Sequence, residues 1–548
     1  MRWNTEYTEI VPHLATSFEV DDNGRQFTFH LRKGVRWSDG EPFTVEDVAF
    51  NVENLLLDED FAPVPTSYMT GGVPVVYETV DEDTVRFTFE EPNGDFLALL
   101  GGPLGQHPVL YPKHYCSQFH PDFNPEIDQL IEENQASDWQ NLFLQKCGAT
   151  ELPARWGNPD KPTLDPWVIT EPYDGGATRV VLERNPYFWQ VDTEGNQLPY
   201  LDKLSASVSQ DVESLILAII GGDIDFGLRH IDSPADRPVL AANREKGDYR
   251  MFAAVVSGFN IMMIDLNLTH KDPELREIFN QKDFRVALSL GMDRQEIIDT
   301  VLLGVGEPWQ QGPFEEDNPY YHEQFSTQYI EYDPERANEL LDGMGLDKRG
   351  PDGMRLMPNG EPLSFQIDAI PTFRPEWVDT LEMVRMQWAE IGVDMSVNAV
   401  ERTFFYERTS NSNEHDAAVW VGGAPWIPGS DPHQMIPINH DARWGIAWRD
   451  WYESDGEEGM EPPESIKERF RLYDEVRSTT DPEERLALVR QAIQIAADEF
   501  EVFGVSKAMP TYGIVKNDLK NVPESMLNWW DLATPAHTHP QTWYWADE

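Results

Sequence analysis

Apolar and polar residues alternate at two different periods along this chain, and the change of period divides it. In "FTFHLRKGVRW", Phe27, Phe29 and Leu31 alternate with Thr28, His30 and Arg32, and "TVRFTFE" sets Val85, Phe87 and Phe89 on one side. A period of two predicts half-buried antiparallel strands. Between them, "WSDGEPFTVEDVAF" (37–50) reads as a corner: Asp39-Gly40 forms a turn, Thr44 caps a helix with Asp47 three residues on, and Trp37 packs beneath. Residues 101–170 are rich in Pro, Gly and polar residues and predict an irregular subdomain on the sheet. "ESLILAIIGGDIDFGL" predicts a helix stopped by Gly221 and Gly222, then a short strand.

After about residue 260 the period becomes helical. "DRQEIIDTVLLG" starts with Asp293 as N-cap and Glu296 as its capping-box partner, and stops at Gly304. "DPERANELL" places Pro334 just inside a helix capped by Asp333. "LSFQIDA" (363–369) reads as a strand, followed by a helix with Trp377, Leu381, Val384, Trp388 and Ile391 on one stripe. Gly392 ends that helix and "VDMSVNAV" alternates as a strand, so this half should carry a parallel sheet built from βαβ units. "DPEERLALVRQAIQIAADEF" is a further helix, capped by Asp481, and 453–464 reads as a loop.

A chain of 548 residues exceeds one hydrophobic core, so at least two lobes are expected. Forty-two Lys plus Arg against 97 Asp plus Glu leave a net charge of −55. Such a chain repels nucleic acid and anionic membrane surfaces. The acids suit a solvated surface in a salty medium; an acidic cleft for cationic ligands is the sharper alternative. No apolar run is long enough to span a bilayer, and "MRWNTEYTEI" has no signal-peptide core. Cys116 and Cys147 fit no zinc spacing and are either one disulfide or two buried thiols.

The stretch "IVPHLATSFEVDDNGRQFTFHLRKGVRWSDGEPFTVEDVAF" resembles the N-terminal signature of family 5 of bacterial extracellular solute-binding proteins. The resemblance continues in order through "LERNPYFWQVDTEGNQLPYLDKL", "IIGGDIDFG", "DFRVALSLGMDRQEIIDTVLLGVGEP", "YDPERANELLDGMGL" and "MQWAEIGVDMSVNAVE", nearly the whole chain. It implies an α/β fold of the two-lobed periplasmic-binding-protein type II kind, with an extra subdomain in the first lobe. Lobe I is expected at about 1–260 plus 505–548 with an insertion at about 41–170, and lobe II at 261–504. Hinge crossings are expected near 257–267 and 502–510, and the lobes would close over a ligand. Family members carry a signal peptide and a first strand before "PHLA", so the natural start is expected further upstream.

The resemblance implies a binding protein of an ABC importer, delivering an oligosaccharide or oligopeptide to membrane permease subunits. Members of that family bind oligopeptides, dipeptides, nickel or oligosaccharides, and the resemblance further implies a monomer at the periplasmic or extracellular face; the residues themselves mark no cofactor or metal site, and the charge argues against nucleic acid. Candidate ligand residues are Trp420 and Trp426 in "AVWVGGAPWIPGSDPHQM", Trp444 and Trp448 in "RWGIAWRDWYE", Asn260, Trp309, Phe373 and Arg374. Indole faces stack on sugar rings or cover peptide side chains, and Arg374 can fork onto a carboxylate. Each also has a plain packing or ion-pair alternative. Peptide binders of the family carry an Asp for the peptide ammonium on the matching loop. The run Gly422–Trp426 has none, which favours oligosaccharides modestly over peptides. His537 and His539 are too few for a metal. A carbohydrate-active hydrolase is the other class considered, but no motif isolates a catalytic pair among 97 acids.

Overall fold

The alternation of Phe27 and Phe29 becomes the centre of a four-stranded sheet. In the computed structural model, which describes all residues but 149–153, 210, 257, 314–317, 424–431, 530–531 and 547–548, the chain forms two units. Unit 1 comprises 1–227, 244–252 and 514–548; unit 2 comprises 228–243 and 253–513.

In unit 1, β1 (Ala15–Val20) and β2 (Gln26–Leu31) pair antiparallel. Helix α1 (Val45–Asn51) follows, then β3 (Val76–Asp81) and β4 (Thr84–Thr88), giving the antiparallel order β1-β2-β4-β3. Phe27 opposes Phe87 and Phe29 opposes Val85, so all four aromatic and branched side chains share one buried face. The corner before α1 is built as its residues predict. Gly40 takes φ +95 in the turn, Thr44 and Asp47 complete a capping box, and Trp37 is only 1% exposed.

The segment after this sheet is held by short helices, among them α2 (Trp139–Cys147). Cys116 and Cys147 form a disulfide within a small core with Phe50, Leu55, Phe119, Leu142 and Phe143. A three-stranded antiparallel sheet follows, of β5 (Trp167–Glu171), β6 (Arg179–Arg184) and β7 (Lys203–Ser207). Helix α3 (Val212–Gly221) then ends on Gly222 at φ +87, the left-handed stop its glycine pair predicts.

Unit 2 is organised on a five-stranded sheet. Its strands are β8 (Met263–Leu266), β9 (Ser364–Ala369), β10 (Asp394–Ala399), β11 (Ala417–Trp420) and β12 (Val502–Gly504), in the order β10-β9-β11-β8-β12. Helix α4 (Arg294–Thr300), capped by Asp293, and helix α5 (Pro334–Gly343), capped by Asp333, form where their caps predict, although α4 stops four residues before Gly304. Helix α6 (Pro375–Glu390) connects β9 to the parallel β10 and buries Trp377, Leu381, Val384 and Trp388. The two indoles donate to Ile261 and Leu288 carbonyls at 2.9 Å each, so their burial leaves no polar orphan.

The expected parallel sheet is therefore a mixed one. Strands β9, β10 and β11 are parallel, but β8 runs antiparallel to both β11 and β12. The neighbours of β8 arrive by long connections from residues 417–420 and 502–504, so the short crossover that keeps β9 and β10 parallel does not govern it. All four residues of β8 are buried.

Candidate functional site

In an open α/β sheet, the loops at the carboxyl ends of parallel strands are where side chains converge on a ligand. Here those ends are Ala369 of β9, Ala399 of β10 and Trp420 of β11. Phe373 and Arg374 lie on the loop after β9, where both backbone N–H groups donate to the Ile370 carbonyl and start α6. Helix α7 (Arg402–Tyr406) follows β10, capped by the Glu401 side chain, and carries Phe405 and Tyr406.

These loops assemble an aromatic stack. Phe373 lies flat on Trp420, centroids 5.2 Å apart and planes 10° off parallel. Phe405 stacks on Trp420 at 5.8 Å, and Tyr406 meets its edge at 5.8 Å. Trp420 is 7% exposed and acts as a backing plate, whereas Phe373 and Tyr406 are half-buried.

Charged groups frame the stack. Arg374 forks onto the buried Asp232 at 3.1 and 3.3 Å, with Glu376 at 3.7 Å. Burial disfavours the Arg374 charge, but Asp232 and Glu376 more than offset it and raise its pKa. Arg402 lies over Phe373 at 5.2 Å and over Tyr406 at 5.6 Å. The fully buried Arg443 pairs with Asp441 at 2.7 Å; burial pushes that carboxyl up, but Arg443 and two histidines hold it at about 2. Asp265, on β8 opposite Ala418, is fully buried and has no hydrogen-bond partner on either carboxylate oxygen among the described residues. Burial pushes it up to about 7, against the charges of Arg443 and His433.

Of the residues singled out in the sequence, Trp420, Phe373 and Arg374 come together here. Trp426 lies outside the described residues. The remaining four are occupied elsewhere in unit 2. Trp444 is fully buried and donates to the His433 carbonyl at 2.8 Å, and Trp448 packs edge-on against it at 6.0 Å. Asn260 is 2% exposed; its amide donates to the Trp309 and Gln310 carbonyls and accepts from the N–H of Met262, Val505 and Ser506. Trp309 is 7% exposed, donates to the Gly312 carbonyl and lies under the Lys507 ammonium at 4.4 Å. The side-chain N–H groups of Trp444, Asn260 and Trp309 already have carbonyl acceptors within the unit.

Sequence reasoning missed Tyr406, Arg402, Arg443 and Asp232. The run Phe404-Phe405-Tyr406 directly after a predicted strand was the available signal for the first two. Asp232 and Arg443 approach from 142 and 23 residues away from their partners Arg374 and Trp420, and nothing local marks them. Arg374 and Arg402 stand over Phe373, at 5.8 and 5.2 Å from its ring centre.

Unit 1 also holds a cavity of about 430 Å³, walled by Leu14, Phe29, Phe87 and Trp189 with Arg2 and His537 at its edge. It sits in the β1–β4 core, and none of the candidate ligand residues lines it. Among the described residues no group of His, Cys, Asp and Glu is arranged to hold a metal, and no helix is long and apolar enough to cross a membrane.

Residues 9–445 match the profile of the bacterial extracellular solute-binding proteins, family 5 Middle. A periplasmic alpha-galactoside-binding protein of Rhizobium meliloti is 26% identical over 545 residues, covering 95% of this chain and 73% of that one. Among solved structures, an oligopeptide-binding protein OppA is 35% identical with a TM-score of 0.67, covering 100% of this chain and 87% of the other. The periplasmic binding protein MelB of Agrobacterium fabrum, in complex with stachyose, has a TM-score of 0.73 at 21% identity, covering 98% and 77%.

Proposed function

Because the chain belongs to the bacterial extracellular solute-binding proteins of family 5, whose members are binding proteins rather than enzymes, we propose that it captures an oligosaccharide or oligopeptide for an ABC importer. The observation that carries this reading is the cluster of half-buried Phe373 and Tyr406, backed by Trp420 at the carboxyl ends of β9, β10 and β11. A flat apolar face on a rigid base suits a sugar ring or a peptide side chain, because little side-chain freedom is lost on contact. Trp420, Phe373 and Arg374 are kept as site residues, with Tyr406 and Arg402 added. Trp444, Trp448, Asn260 and Trp309 are assigned to packing.

The alpha-galactoside and stachyose named for two relatives support the sugar arm, and the oligopeptide named for a third supports the peptide arm. Loaded protein then docks on permease subunits, and ligand acts by shifting the population toward the docking form. The protein works as a monomer on the outer side of the cell membrane. The Cys116–Cys147 disulfide supports that placement, since such bonds persist in oxidising compartments.

A thermal-shift screen with tri- and tetrasaccharides and with tri- to pentapeptides tests the reading. A ligand at about 100 times its Kd stabilises the native state by about 2.7 kcal/mol, which is a shift of several degrees. No shift with either class overturns the ligand assignment.

A further inference from the structure

The fork of Arg374 is filled by the chain itself. Its two terminal nitrogens donate to the two Asp232 oxygens at 3.1 and 3.3 Å, the paired match that a guanidinium offers a carboxylate. Burial differs between the partners. The Asp232 side chain is 5% exposed, whereas that of Arg374 is 27% exposed and stands over Phe373 at 5.8 Å. Asp232 is thus the interior partner, and Arg374 is the one nearer solvent. Glu376 stands further off, at 3.7 Å.

A braced segment of unit 2, residues 228–243, delivers the acid. The Tyr512 hydroxyl donates to the Ile231 carbonyl at 2.5 Å and lies 3.3 Å from that of Ser233, so it holds the backbone on both sides of Asp232. The Ser233 hydroxyl in turn donates to the Asp236 carboxylate at 2.6 Å. His230 is held at φ +65, a left-handed backbone that a non-glycine residue adopts at a cost, and its ring meets Phe373 edge-on at 5.8 Å. Packing alone does not require a charge at residue 232, because a buried ion pair is often no more stabilising than apolar residues of the same volume. What the pair does settle is whether the guanidinium over Phe373 has room for another carboxylate.

We propose that Asp232 is a specificity-determining residue: it closes the Arg374 fork to acids on the solute and leaves Phe373 to uncharged rings or side chains. The inference rests on the solute-binding reading above and narrows it to solutes that bring no carboxylate to this contact. A carboxylate on the solute has to displace Asp232, which leaves a buried charge without its partner, whereas an uncharged solute incurs no such penalty. Replacing Asp232 by a neutral residue of the same shape reverses the rule. The partly exposed guanidinium then lacks its carboxylate and accepts one from outside. Arg402, 5.2 Å from the same ring, is the rival anchor for a solute acid.

Calorimetric titration of the full chain with matched pairs tests this. One pair is a tripeptide and its C-terminal amide; the other is an oligogalacturonate and the neutral galacto-oligosaccharide of equal length. In the native protein neither acidic member should bind more than about threefold tighter than its neutral mate. Asp232→Asn should shift the ratio toward the acidic member by about tenfold or more in the pair that binds, and added salt should diminish the shift. Arg374→Gln on top of Asp232→Asn should abolish it. A native preference for an acidic member above about threefold, as an anchor at Arg402 would give, overturns the inference. An unchanged ratio in Asp232→Asn does so as well, and both results leave the solute-binding reading standing. No binding by any of the four overturns both. The native measurement decides by itself should Asp232→Asn fail to fold.

Discussion

The guanidinium carbon of Arg443 stands 4.3 Å from the centre of the Trp420 ring, with Phe373 stacked on the same indole. Arg443 is fully buried and tied to Asp441 at 2.7 Å. The base of the aromatic wall is therefore pinned by a cation that cannot swing away, and the half-buried rings on it inherit that rigidity.

This division of labour separates two substitutions. Trp420→Ala removes a buried indole and should cost about 3–5 kcal/mol of stability. Phe373→Ala, at a half-buried ring, should cost under about 2 kcal/mol yet weaken solute binding at least tenfold. Urea unfolding with parallel titration of ligand checks both, and equal effects of the two on stability would refute the backing-plate role.

Asn260 should behave in the opposite way. Its amide joins the segments at 262, 309–310 and 505–506, and Asn260→Ala leaves buried backbone groups without partners. A loss of at least about 3 kcal/mol is expected, since each orphaned group costs about 1–3 kcal/mol. The Kd of the folded protein should stay within threefold, as read by titration below the melting range.

Asp265 sets a pH dependence. Its pKa is raised from 3.8 to about 7 in the folded protein, so the native state holds a proton that the unfolded chain has released. Its contribution is fully present below about pH 3.8 and is lost as pH rises through about 7. The whole window corresponds to about 4 kcal/mol. Asp265→Asn keeps the shape without the charge and should gain stability relative to the native protein between pH 4 and pH 7, then hold the gain. Parallel pH profiles of the two proteins, measured by urea unfolding, would contradict the assignment.

The disulfide closes a span of 31 residues in unit 1. Replacing Cys116 and Cys147 by serine, or adding reductant, should lower stability by about 2–4 kcal/mol. Solute binding by folded protein should not change, since the bond lies in a separate small core. Melting curves with and without reductant give the answer, and an unchanged curve for the double variant would argue against the bond.

What could be read in advance follows from the range over which each signal acts. The stripe of α6, the capping box of α1 and the glycine stop of α3 are set by residues within a few positions, and all three form as expected. The direction of β8 depends on strands more than 150 residues downstream, and no local pattern encodes it. Trp444 and Trp448 lie in the hydrophobic core of unit 2. They fall four residues apart, with Trp451 three further on, a spacing that also suits packing on one helix face. At the wall itself, Trp420 and Phe373 were legible from strand-end loops, but the cations around them came from segments with no shared motif.

The antiparallel pairing of β8 with β12 has a consequence for biogenesis. The central sheet of unit 2 cannot close until residues 502–504 exist, and unit 1 needs 514–548. Neither unit can therefore complete itself while most of the chain is still emerging from a ribosome or a secretion pore. Such late, long-range closure is slow, and it keeps the polypeptide threadable for almost its whole length. Both units therefore latch only when the segment from residue 502 onward has been made.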